Sequence, residues 1–124
     1  MIEILPAPDH VAAYRLSGEL TGEDYDKVVV DLEARLARHD RLGVYVDMVD
    51  FTDMTAEALI KDIRYAFSKF GELKRFPREA VVTDRGWVKA LVGLVDPIYR
   101  HTEIRTFAPD EREAALAWAQ AIPA

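Results

Sequence analysis

The side chains best suited to chemistry in this sequence are aspartates that follow hydrophobic strands. Asp47, Asp50 and Asp53 lie within and just after the apolar run 44–49, and Asp84 follows the run 80–83. Ligands often bind beyond the carboxyl ends of strands in open α/β sheets, and clustered carboxylates are suited to Mg²⁺. One hypothesis is therefore a metal-dependent enzyme that uses Asp47, Asp50 or Asp84.

The competing interpretation gives these aspartates local structural roles. Asp50 and Asp53 can form turns by bonding nearby backbone N–H groups, and Asp84 can cap the helix that begins near Trp87. We adopt this interpretation and predict no metal site and no cofactor.

The remaining reactive residues form no catalytic set. The chain has no cysteine, and His10, His39 and His101 lack the spacing typical of metal ligands. Ser17 and Ser68 have no base nearby in the sequence, and no glycine-rich phosphate loop is present. We therefore predict that the protein is not an enzyme.

The overall charge and hydropathy exclude further classes of function. A formal net charge of -6 disfavours nucleic acid and anionic membrane surfaces as partners, because both attract basic faces. No apolar run approaches the roughly 18–20 residues of a membrane span, and the first residues lack a signal-peptide pattern. We expect one domain over residues 1–124, located in the cytoplasm, with no membrane insertion.

One local stretch is basic despite the overall charge. It can meet an acidic partner or a phosphate-bearing ligand, but cations also suit the end of a solvated helix, which is the interpretation we favour. The stretch contains Lys69, Lys74, Arg75 and Arg78, with Phe70 and Phe76 between them.

Hydrophobic periodicity and capping residues predict the elements that position these side chains. Strands are expected over 2–5 and 11–16, followed by a turn at 17–20. Thr21 and Asp24 form a capping-box pattern, and apolar residues at helical spacing continue the first helix to Leu36.

Strands and helices then alternate to the end of the chain. Strands are predicted over 42–48, 78–84 and 103–107, with a helix over 86–95. Thr55 is expected to cap a helix that continues to about residue 73, and Asp110, with Glu113, to cap the last helix. The expected core stripe of the helix after Thr55 is Leu59, Ile63, Phe67 and Phe70.

These elements predict an α/β fold with a mixed, mostly parallel sheet in the order ββαβαβαβα. A helix between two strands acts as a crossover, which places the two strands parallel in the sheet. The opening strand pair adds an antiparallel element.

Bulky apolar side chains are concentrated in the helix after Thr55 and in residues 87–99. The segment 87–95 is apolar nearly all round, so it is either buried in the core or covers something else. Core, association surface and ligand groove are all open interpretations. The tentative binding residues are Phe67, Phe70, Trp87, Leu91, Leu94, Ile98 and Tyr99.

The ordered set of residues along the chain resembles the SpoIIAA-like family, which comprises small bacterial proteins with a STAS-type fold. This fold is related in shape to the lipid-binding CRAL-TRIO domains. The resemblance rests on the segments 18–25 and 76–84, on Val46, Asp47, Phe51, Ala58 and Asp62, and on Trp87, Arg105, Thr106, Phe107, Ala114 and Trp118.

The resemblance also bears on regulation. STAS domains of the anti-anti-sigma type are switched by phosphorylation of a serine in an Asp-Ser-Ser-Gly motif, which matches Asp53-Met54-Thr55-Ala56 here. Met54 replaces the phosphorylated serine, and a thioether cannot accept phosphate. Thr55, one position later, keeps a hydroxyl, but we do not predict a phosphoswitch.

Two hypotheses of function remain. The first is a non-catalytic STAS-like interaction module that forms a homodimer or binds another protein through residues 87–99 and the helix after Thr55. The second is a carrier of a small apolar or lipid-like ligand, with the same helices lining the pocket.

Overall fold

A computed structural model of the chain describes residues 1–95 and 102–122. The elements follow the predicted order ββαβαβαβα, with two short 3₁₀ helices, Phe70–Arg75 and Pro109–Glu111, as additions. The strands and helices are β1 (Ile2–Ile4), β2 (Val11–Leu20), α1 (Gly22–Leu36), β3 (Gly43–Met54), α2 (Ala56–Ser68), β4 (Arg78–Val82), α3 (Gly86–Val95), β5 (Glu103–Phe107) and α4 (Arg112–Gln120).

The five strands form one sheet in the spatial order β1-β2-β3-β4-β5. β1 pairs antiparallel with β2, and the other three pairs are parallel, as the sequence predicts. The predicted α/β class and mostly parallel sheet are therefore confirmed. All parallel strands end at the same edge of the sheet, where α1, α2 and α3 begin.

Alternation along the strands sends side chains to two different helical layers. On one face, Ala12 and Tyr14 of β2 pack with Leu32 and Leu36 of α1. The same layer continues through Phe51 of β3, which packs in a cluster that includes residues of α1 and α2. The larger helical layer thus lies on this face.

The opposite face is covered by α4. Val11, Ala13 and Tyr45 pack there with Ala115 and Ala119, which are fully buried. The helix lies so close to β3 that a Cβ on Gly43 would overlap the Ala119 carbonyl. Because α4 has only nine residues, it contacts mainly β3 and β4.

Two strands are longer than predicted. β2 includes residues 17–20, which were predicted to form a turn, and β3 continues to Met54 instead of ending near Met48. The two extensions pair with each other, from Ser17 opposite Asp50 to Leu20 opposite Met54. Gly18 lies at an irregularity in this register and has φ 63°. Glycine adopts this backbone conformation at little energetic cost, so the pairing can continue past it.

Helix starts were predicted with mixed success. The capping box of Thr21 and Asp24 is confirmed, with reciprocal bonds of 3.2 and 3.0 Å between backbone N–H groups and side-chain oxygens. The prediction for Asp110 is wrong, because this residue lies within a 3₁₀ turn. The backbone N–H of Ala108 donates to Glu111 instead, at 2.8 Å.

The second helix is also shorter than predicted. It ends at Ser68, and residues 70–75 form a 3₁₀ helix that includes Gly71. Glycine weakens a helical turn because it loses more backbone freedom than other residues. Among the described residues, no helix has the length and apolar character to cross a membrane.

Candidate functional site

Among the α2 side chains that the structure describes, Ala58, Asp62 and Tyr65 contact the rest of the protein. Ala58 is fully buried, and Tyr65 packs against the clusters of the α1 layer. Asp62 accepts a hydrogen bond of 2.7 Å from the Tyr25 hydroxyl of α1. The positions 58, 62 and 65 follow helical spacing, so they define one side of α2.

The large aliphatic residues of α2 lie on its other side. Leu59, Ile60 and Ile63 are 46%, 49% and 47% exposed. The prediction that Leu59 and Ile63 belong to a core stripe is therefore wrong. The helix packs through Ala58, whose small side chain permits a close approach, and this orientation leaves the bulkier stripe in solvent.

Trp87 is a further large apolar side chain that is exposed on the same side of the sheet. It lies in the first turn of α3 and is 48% exposed, while its neighbour Val88 is buried. The Trp87 ring contacts the ring of Phe51, with centroids 5.8 Å apart. Phe51 also belongs to the cluster that contains Ala58, so it connects the start of α3 with the start of α2.

We call the exposed side chains of Leu59, Ile60, Ile63 and Trp87 the apolar face. Of the residues predicted as a binding site, Trp87 is the one whose side chain the structure describes. Ile98 and Tyr99 lie outside the described residues. The structure gives only the backbone positions of the other four. Phe67 lies in α2, Phe70 begins the following 3₁₀ helix, and α3 contains Leu91 and Leu94.

Charged groups next to the apolar face are largely neutralised by one another. The Lys61 ammonium lies 2.8 Å from the Asp26 carboxylate and 3.3 Å from that of Glu57. The hydrogen bond to Asp26 raises the pKa of Lys61, with Glu57 contributing in the same direction. One ammonium between two carboxylates leaves the edge of the face with a net charge of only -1 from these three groups.

The three aspartates of β3 do not converge on one site. Asp47 is buried within the strand, where its carboxylate accepts bonds from Arg112 at 2.9 Å and from Arg15 at 3.5 Å. Asp50 and Asp53 are exposed further along β3. No group of three or more potential metal ligands occurs among the described residues.

Asp84 and Thr55 were both predicted to cap a helix. Asp84 is exposed and makes no hydrogen bond within the described part of the chain, so its predicted capping role is wrong. The Thr83 hydroxyl instead accepts from the Arg85 backbone N–H at 3.1 Å. The Thr55 hydroxyl accepts from the Ala58 N–H at 3.1 Å, which confirms the predicted cap of α2.

Most of the predicted basic stretch is used in internal contacts. Arg75 donates to the carbonyls of Leu36, His39 and Asp40 and so caps the C-terminal end of α1. The Lys69 ammonium lies 2.9 Å from the Glu33 carboxylate. A further contact joins Arg78 to the carbonyl of Trp118 at 2.9 Å.

Two histidines are bound to neighbouring groups at the surface. His10 forms a hydrogen bond of 3.0 Å with the Gln120 carbonyl, and His39 lies 2.7 Å from the Asp9 carboxylate. His101 lies outside the described residues.

Comparison with known proteins places the fold in a family. A model of the SpoIIAA-like family matches residues 11–120. The chain belongs to the SpoIIAA-like family. The resemblance inferred from the sequence is thereby confirmed, and the matched range spans every element except β1.

A solved structure shares the fold of this SpoIIAA-like protein. It is the crystal structure of an uncharacterised protein of the DUF3478 family, with a SpoIIAA-like fold, from Shewanella loihica PV-4. The TM-score is 0.74 at 22% sequence identity, and the alignment covers 96% of this chain and 92% of the other. A search of curated proteins finds no match.

The sequence contains one signal that identifies the exposed side of α2. Ala58 and Asp62 were already part of the family resemblance, and with Tyr65 they form a stripe at helical spacing. Asp62 makes this stripe hard to recognise from the sequence, because carboxylates rarely lie on the packed side of a helix. Asp62 is itself exposed, and its hydrogen bond with Tyr25 is what places this side of α2 next to α1.

Proposed function

We propose that this SpoIIAA-like protein is a non-catalytic interaction module that associates with a second copy of itself through the apolar face. The observation that carries the proposal is the half-exposure of Leu59, Ile60, Ile63 and Trp87. Folded monomers rarely expose contiguous apolar patches larger than a few hundred Å², and such patches mark sites of contact with other molecules.

A second copy is the partner that this surface suits best. A twofold interface uses the same patch on both subunits, so one apolar face covers itself without a second specialised surface. The paired charges of Lys61 with Asp26 and Glu57 avoid strong repulsion at the edge. The net charge of -6 on each copy means that apolar burial, and not attraction between whole molecules, must stabilise the dimer.

The proposal is tested by charging the apolar face without disturbing the core. We expect the double variant Ile60→Lys/Ile63→Lys to be monomeric under conditions in which the wild type is dimeric. The substituted side chains are about half in solvent, so lysine can extend its ammonium into water and keep the fold. Size-exclusion chromatography with light scattering measures the mass, and circular dichroism verifies folding.

Ile4→Lys provides a matched control. Ile4 is 49% exposed, as Ile60 is, but lies in β1 at the edge of the sheet. The control should remain dimeric. A dimer that persists in the double variant, or one that is lost in Ile4→Lys instead, contradicts the apolar face as the contact surface.

A further inference from the structure

A cavity of about 170 Å³ lies on the opposite side of the sheet from the apolar face. It opens between the first turns of α4 and the chain between β1 and β2. Leu5, Pro6, Ala13 and Leu116 form apolar walls, and Tyr45 of β3 lines it as well. Trp87, whose side chain the structure describes, is not among the residues that line it.

Tyr45 contributes a polar group to this apolar space. The residue is only 5% exposed, yet its hydroxyl makes no hydrogen bond within the described part of the chain. Burial raises the pKa of Tyr45, with the nearby Asp47 carboxylate contributing in the same direction. The hydroxyl is therefore protonated at neutral pH and is available as a donor to a bound molecule.

The charged residues of the cavity do not favour an ionic ligand. The Nε of Arg112 donates to the Asp47 carboxylate at 2.9 Å, and Nη1 donates to the Pro109 carbonyl at 3.2 Å. This cation is thus already paired with a buried carboxylate. Glu113 also lines the cavity, so an anion would meet a like charge there.

We propose that this cavity binds a small uncharged molecule, with an aromatic or cyclic body and one carbonyl or hydroxyl oxygen that accepts a hydrogen bond from Tyr45. Apolar protein cavities of roughly 150 Å³ accommodate a benzene ring, so a ligand of about six to ten heavy atoms fits this volume. The site shares no residue with the apolar face and goes beyond self-association.

The test compares two probes of nearly equal shape. Acetophenone carries the carbonyl oxygen that the site should recognise, and ethylbenzene lacks it. Titration of the full chain, followed by amide NMR shifts, should place both probes at Ala13, Tyr45 and Leu116. Acetophenone should bind about three- to tenfold more tightly, the range that one hydrogen bond supplies.

Tyr45→Phe is the matched variant, since it removes only the hydroxyl. In this variant the preference for acetophenone should fall to about onefold while ethylbenzene affinity stays unchanged. The proposal is overturned if neither probe shifts the cavity amides, if the preference survives in Tyr45→Phe, or if benzoate binds more tightly than acetophenone. The mass of the oligomer is a separate readout, which these probes should leave unchanged.

Discussion

Two carboxyl groups of the sheet, the buried Asp47 and the partly buried Glu79, differ in how their charge is compensated. Asp47, on the α4 face, has two arginine partners and a backbone N–H donor from Val49. Glu79, on the other face, has no such partner among the described residues. Burial raises the pKa of Glu79 to about 7, and the Asp62 carboxylate adds to the shift.

This difference predicts a pH-dependent stability that originates at Glu79. Its pKa in the folded state lies above its ordinary value of 4.5, so the folded state retains a proton that the unfolded state has lost. The free energy of unfolding should fall as pH rises from 4.5 to 7, and the contribution should level off above that. Glu79→Gln, which is neutral throughout, should remove this decline.

Urea denaturation at two pH values measures the effect. Glu79→Gln should be more stable than the wild type by about 1–3 kcal/mol at pH 8, and about equal to it at pH 4. The range is below the full effect of the shift because Glu79 is only partly buried from solvent. An equal difference at both pH values would show that the glutamine acts through packing and not through charge.

The extension of β2 through residues 17–20 depends on the backbone conformation of one residue, Gly18. Gly18 adopts φ 63° within β2, and a Cβ at this position would meet no atom within 4 Å. Gly18→Ala should therefore lower the free energy of unfolding by about 1–2 kcal/mol through backbone strain alone. Gly18→Asn should cost less, because asparagine tolerates this region better than alanine does.

Chemical denaturation of both variants tests this explanation. The midpoint should shift while the slope with denaturant stays the same, since the surface exposed on unfolding is unchanged. If alanine and asparagine cost the same, or if alanine costs nothing, positive φ is not what requires glycine here.

The comparison of sequence and structure shows which elements local signals determine. The Thr21 capping box and the Thr55 cap were predictable because each involves residues three positions apart. The pairing of 17–20 with 50–54 was not, because it joins segments distant in sequence. The turn-like residues Ser17 and Gly18 suggested an end to the strand, and the long-range partner in β3 overrides that preference.

The orientation of α2 required tertiary information for a similar reason. Its sequence offers two stripes at helical spacing, a bulky aliphatic one and a smaller one containing Ala58. Hydrophobicity alone predicts that the bulky aliphatic stripe is buried. In the structure the stripe with Ala58 packs against α1 and the sheet instead, because Asp62 accepts a hydrogen bond from Tyr25 and Ala58 packs closely. The cavity beside Tyr45 could not be predicted either, because its walls come from the chain between β1 and β2, from β2, from β3 and from α4.

The whole molecule has two chemically different surfaces on opposite sides of one sheet. The layer that contains α1 and α2 presents large apolar side chains to solvent, which we assign to self-association. The face covered by the short α4 leaves a cavity, which we assign to a small uncharged ligand. Because the two sites share no residue, either can fail a test without affecting the other.

Sedimentation equilibrium of the wild-type chain across micromolar concentrations measures directly whether the protein self-associates. The apolar face predicts that the weight-average mass rises with concentration toward twice the 14.0 kDa of one chain. It should rise further at high salt or remain unchanged, since apolar burial is not screened by ions. A mass that stays at 14.0 kDa over the whole range would contradict self-association through this face.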